Sequence, residues 1–181
     1  MRLVTDPSIR QALYGLYIAL FEAKKICPDD FEDGRLTTIL TAIMGIENLG
    51  WRVVGITREA LDLLATEDFR KNKLPRRLCR GHIVDRIQTT RLLFEGNEPM
   101  PLDDFFDNFL QNDRTVIMLN EQNSHSKPFP PYIGIDNPDG ELIPNGSLIG
   151  WKHRQKEREY LRSIHSRIQQ ACGTKHIDVT N

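Results

Sequence analysis

What this sequence has little of narrows it first. Cysteine is scarce: Cys27, Cys79 and Cys172 make no CxxC pair and leave an odd thiol. Neither a disulfide framework nor a cysteine zinc cage is expected, and a reducing cytoplasm is the expected compartment. No apolar run approaches the roughly 20 residues that span a bilayer, and Met1 to Pro7 lacks the charged-then-apolar order of a secretory signal. Membrane insertion and export are therefore not expected. A Walker pattern and a dinucleotide-binding glycine fingerprint are both missing, which disfavours nucleotide-hydrolase and dehydrogenase chemistry. There is no internal repeat, low-complexity tract or clear linker.

Net charge is also nearly absent, -1 at pH 7, yet that balance hides a segregation. Between Arg70 and Arg91 the cations Arg70, Lys71, Lys73, Arg76, Arg77, Arg80, Arg86 and Arg91 stand against the lone anion Asp85. A second basic stretch sets Lys152, Arg154, Lys156, Arg158, Arg162 and Arg167 against Glu157 and Glu159, while acid gathers from Asp29 to Asp33 and from Glu95 to Asp107. Such clusters suit a phosphate backbone, because each neutralised phosphate releases counterions. The plainer reading of the same pattern is a solvated basic face. Arg70, Lys71, Lys73, Arg76, Arg77, Arg91, Lys152 and Arg154 are the expected nucleic-acid contacts.

What is present in quantity is ordinary globular material. With 39% hydrophobic and 27% charged residues, the 181-residue chain can bury a core, and a single domain over 1–181 is the default. Ser8 to Ile26 carries Ile9, Leu13, Leu16, Tyr17, Leu20 and Phe21 at helical spacing, and Pro28-Asp29-Asp30 ends the pattern. Further helices are expected over Leu36 to Leu49, from Thr57 as N-cap to Phe69, over Ile87 to Phe94, over Pro101 to Leu110 and over Lys156 to Ala171. Strands are expected over Trp51 to Ile56, Leu78 to Val84, Thr115 to Leu119, Tyr132 to Ile135 and Ser147 to Trp151. Gly134 and Gly150 sit inside these strand patterns, which suggests a bulge or a close backbone approach. The class is α+β, with helices dominating the N-terminal third.

Hydrolysing a phosphodiester needs a base to activate water and a charge-neutralising partner for the phosphate. His82 is the natural base, since an imidazole titrates near neutrality, and Gly81 beside it would let a phosphate approach the backbone. Arg80 and Arg86 could clamp that phosphate. After the strand Thr115 to Leu119 come Asn120, Asn123 and His125, small polar and imidazole groups able to hold one magnesium-like ion, with Asp85 as the nearest anionic candidate.

Arg80-Gly81-His82-Ile83-Val84, followed by Thr115 to Leu119 and Asn120, resembles the ββα-metal, or His-Me finger, nucleases, which include the HNH endonucleases. The resemblance covers about a quarter of the chain. It implies a small core containing a β-hairpin within residues 70–181, His82 as general base, and a Mg2+ or Mn2+ ion on Asn120, Asn123 or His125. Residues 1–69 would then be a mainly helical part for recognition or homodimer contacts. Cys79 stands where the Arg-Gly-His nucleases have Asp, and Gly81 where HNH proteins have an acidic or histidine ligand. The expectation is a metal-dependent endonuclease cutting DNA, with RNA as the other candidate, in a restriction or mobile-element setting. The alternative is a non-catalytic nucleic-acid-binding module built on the stretch Arg70 to Arg91.

Overall fold

A computed structural model describes residues 6–44, 52–70, 77–124, 126–135 and 155–173. It is an α+β protein with a helical N-terminal part and a C-terminal helix. The order is α1 (Pro7–Ile26), α2 (Asp33–Met44), β1 (Arg52–Ile56), α3 (Arg58–Ala65), β2 (Leu78–His82), α4 (Arg86–Phe94), α5 (Leu102–Asn112), β3 (Arg114–Leu119), a 3-10 turn (Asn120–Gln122), β4 (Ile133–Gly134) and α6 (Gln155–Gly173). The packing divides the chain into two compact units, each built from separate stretches. Among described residues the first holds 6–44, 52–53 and 82–115, and the second holds 54–70, 77–81, 116–124, 126–135 and 155–173. No helix among them is long and apolar enough to cross a membrane.

The first unit is a helix cluster closed in a ring: α1 packs on α2 and α5, and α4 packs on α2 and α5. Asp6 starts α1 by accepting from the backbone N–H groups of Ser8 and Ile9 at 3.0 and 3.3 Å, with Pro7 inside the first turn where a missing N–H costs nothing. The apolar spacing read from the sequence turns Leu13, Tyr17 and Phe21 inward against Leu36, Leu40, Phe94, Phe105 and Phe109. Tyr17 stacks on Phe105 with ring centroids 4.4 Å apart. Its buried hydroxyl donates to the Leu93 carbonyl at 2.6 Å and accepts from the Met100 N–H at 2.9 Å. Burial raises its pKa and the backbone bond to Met100 opposes that rise.

The sheet has the order β2-β3-β1-β4 and is mixed. Ile83 N–H meets Arg114 O at 3.0 Å and Asn120 N–H meets Arg77 O at 3.1 Å, so β2 and β3 run antiparallel. β1 and β4 are antiparallel with Gly55 opposite Gly134, which leaves β3 and β1 as the parallel pair. Thr57 caps α3 through its hydroxyl, which accepts from Ala60 N–H at 3.3 Å, and α6 packs back on α3. The Gln122 carboxamide oxygen accepts from Leu119 N–H and from the Thr57 hydroxyl, both at 2.9 Å, and so ties the end of β3 to the start of α3.

Helix α3 ends earlier than the expected Phe69, in a turn where Asp68 and Phe69 have φ of 51 and 58°. Non-glycine residues in that region cost on the order of 1–3 kcal/mol each, more readily tolerated by Asp than by Phe. The cost is met by burying Phe69 and by its N–H bond to Leu64 O at 2.7 Å. Gly55 has a close approach: a Cβ there would lie 2.2 Å from the Tyr132 ring. At Gly134 the expected close approach is not found, since nothing lies within 4 Å of where a Cβ would stand. Trp51, Gly150, Trp151, the end of the expected Leu36 to Leu49 helix and the strand expected over Ser147 to Trp151 lie outside the described residues.

Candidate functional site

The antiparallel register of β2 and β3 sets His82 beside the start of β3, and Asp113 is the residue that ends α5 and precedes that strand. His82 Nε2 lies 3.0 Å from Asp113 Oδ1. Both side chains are withdrawn from solvent, 11% and 8% exposed. A carboxylate only accepts, so this bond assigns the imidazole hydrogen to Nε2 and places the basic lone pair of the neutral ring on Nδ1. Asp113 is itself fixed by its backbone, whose N–H reaches Phe109 O at 2.9 Å.

Arg86 opens α4 and lines one small cavity with Asp113. Its Nη1 donates to the Thr41 hydroxyl at 3.0 Å. Burial lowers its pKa from the usual arginine value, while the charges of Asp113 and Asp85 hold it up. A small cavity of about 20 Å3, room for a single water, is lined by Thr37, Thr41, Arg86, Thr90, Asn112 and Asp113 among others.

The other residues singled out from the sequence take different places. Asp85 is the N-cap of α4, its Oδ1 accepting from Ile87 N–H at 3.3 Å, which gives the lone anion of the basic stretch a structural job. Arg91 is exposed and pairs with Asp33 at 2.8 Å. Together with Lys24 it lowers the Asp33 pKa, the Arg91 hydrogen bond contributing most. In the second unit Arg80 lies inside the fold, its residue only 8% exposed, which does not suit a phosphate clamp on the surface. Arg77 is exposed. Gly81 does not open the backbone to a phosphate: a Cβ there would stand 2.5 Å from Met118 Cε and 3.1 Å from Asn123 Oδ1, so the space belongs to the β3 side chain.

Asn120 begins the 3-10 turn and Asn123 ends it, its N–H on Asn120 O at 3.2 Å. Among described residues 120–135 that turn is the only helical piece. Cys79, at the position of the family's Asp, is pushed up to about 11 by burial and is no thiolate near neutrality. Lys71, Lys73, Arg76, His125, Lys152 and Arg154 lie outside the described residues. Among the described residues no group of three or more His, Cys, Asp or Glu gathers as a metal cage. A magnesium-like ion carried in with substrate phosphates needs only one or two protein oxygens.

Two features were not foreseen. Asp113 carries no local signal, and only the 31-residue separation closed by the sheet brings it to His82. Asp68 gathers arginines from both basic stretches, Arg70 at 3.6 Å, Arg158 at 2.9 Å and Arg162. The Arg162 hydrogen bond, with the charges of Arg158 and Arg70, holds the Asp68 carboxyl below the usual carboxylate range. Comparisons with protein-family models, curated proteins and solved structures return no match.

Proposed function

We propose that the chain is a metal-dependent endonuclease that hydrolyses phosphodiester bonds of DNA, with His82 as general base and Asp113 as the residue that orients it. The observation carrying this reading is the 3.0 Å His82–Asp113 bond between two side chains held out of solvent. An imidazole whose tautomer and direction are set by a carboxylate is the arrangement general-base catalysis uses. Water oxygen would form the new P–O bond as Nδ1 takes its proton. The opposite P–O bond breaks, and the departing oxygen takes a proton from solvent. Arg86, held by its hydrogen bond to the Thr41 hydroxyl and coupled by charge to Asp113, is a positioning residue that acts through that carboxylate.

A magnesium or manganese ion, when bound with substrate, would neutralise charge growing on the phosphate. Asn120, Asn123 and His125 remain its proposed protein ligands. A cytoplasmic location goes with this reading, since nucleic acid and unpaired cysteines both suit it.

The test is cleavage of plasmid DNA by the purified chain with magnesium or manganese, with and without chelator. His82→Ala should lower the rate about 10²- to 10⁴-fold while binding of an uncut duplex survives. Undiminished cutting by a folded His82→Ala variant would remove the assignment. A second reading, a binding module without catalysis, is favoured by the gathering of arginines on Asp68. It would stand if the wild-type chain bound DNA and never cut it.

A further inference from the structure

The two basic stretches of the sequence are joined at one place in the second unit. Asp68 accepts from Arg158 Nη2 at 2.9 Å and from Arg162, while Arg70 Nε lies 3.6 Å away. Arg158 and Arg162 are one turn apart on α6, so their guanidiniums leave the helix on one face. Arg162 also lies over the Phe69 ring, 5.7 Å from its centroid, which directs its charge toward the turn.

The stoichiometry is unbalanced. One carboxylate offers about four lone-pair sites, whereas three guanidiniums carry about five N–H donors each, and the cluster keeps a positive balance that a second anion can use. It lies in reach of solvent: Asp68, Arg70 and Arg162 side chains are each close to half exposed. Anchoring α6 does not require it, because Leu161 and Ile164 are buried and His165 bonds Asp62 at 3.1 Å. The consecutive left-handed residues Asp68 and Phe69 point the same way. Glycine would close such a turn without strain, yet here a carboxylate is set among the arginines instead.

We propose that Arg70, Arg158 and Arg162, held apart and aimed by Asp68, form a phosphate-backbone clamp for duplex DNA. Guanidinium forks suit phosphate oxygens in pairs, and arginines already ordered by a shared carboxylate lose little freedom on binding. The proposal rests on the endonuclease reading only for its choice of DNA as the anion, and its test needs no cutting.

The measurement is anisotropy of a labelled 20-base-pair duplex across a salt series, using the full chain carrying His82→Ala so that substrate stays whole. Arg158→Ala with Arg162→Ala should weaken binding at least tenfold at low salt and flatten the plot of log affinity against log salt by up to ~0.9 per lost contact. Lysine at both positions should restore most of the slope, which a purely structural anchor would not do. Should the double alanine variant fail to fold, exposed Arg70→Gln decides alone, with a slope loss of up to ~0.9 expected. Unchanged slopes in the folded variants would overturn the clamp. If slopes fall but wild-type chain never cuts, the clamp stands and the endonuclease reading fails.

Discussion

Each unit contains a histidine bonded to an aspartate at nearly the same distance, His82 to Asp113 at 3.0 Å and His165 to Asp62 at 3.1 Å. Their surroundings differ. Asp62 is 46% exposed and shares its carboxylate with Arg58, whose Nε lies 2.8 Å away on the same helix face. Asp113 is buried and has Arg86 as its charged neighbour. The same bond length therefore joins a largely buried histidine to a half-exposed carboxylate in one unit and to a buried carboxylate in the other. Distance alone does not identify a site; burial and what else the carboxylate must balance do.

The largest effect that can break this comparison is on stability. Asp113→Ala takes the buried carboxylate away from the His82 imidazole and the half-buried Arg86, and removing one member of a buried charged group costs up to about 3–5 kcal/mol. Asp62→Ala should cost no more than about 1 kcal/mol, as exposed pairs do. Urea unfolding of both variants checks this, and equal losses would show that the two pairs do the same work.

The fold was largely legible because its signals are local. Asp6 and Thr57 are caps that act over two or three residues, and the spacing of Leu13, Tyr17 and Phe21 needs no knowledge of their partners. Thr115 to Leu119 is apolar enough to declare itself a strand. The site was less legible, since its contacts are not local. Asp113 ends a helix and precedes a strand, a place where an aspartate is unremarked, and its partner is 31 residues earlier. Asp68 meets Arg158 across 90 residues. In the sequence a glycine beside a histidine suggests an opening for phosphate and shows nothing of the Met118 side chain across the sheet.

Gly81→Ala pushes a methyl into the fully buried Met118, and overpacking of this kind costs about 1–3 kcal/mol. A smaller residue at 118 offers the missing space. Met118→Ala with Gly81→Ala should therefore lose less than the sum of the single losses in thermal unfolding. Additive losses would mean that the methyl meets something else.

A smaller effect separates the two described free thiols. Cys27 is exposed, whereas Cys79 is partly buried and pushed up to about 11. Iodoacetamide at pH 8 should label Cys27 in the native chain and leave Cys79 unmodified until the chain is unfolded. Because burial raises the folded thiol above its ordinary value of about 9, the contribution of Cys79 to stability is complete below about 9 and is lost as pH rises through about 11. Rapid native labelling of Cys79 near neutrality would contradict its burial.

Of the two pairs, His82–Asp113 is proposed to act in catalysis and His165–Asp62 is not. Single-turnover cleavage of a DNA duplex, with magnesium present and enzyme in excess, compares wild type, His82→Ala and His165→Ala directly. The expected result is a loss of about 10²- to 10⁴-fold for His82→Ala, partly restored by added imidazole, and a change of less than about twofold for His165→Ala. A folded His82→Ala variant that cuts as fast as wild type, or equal losses in both variants, would contradict it.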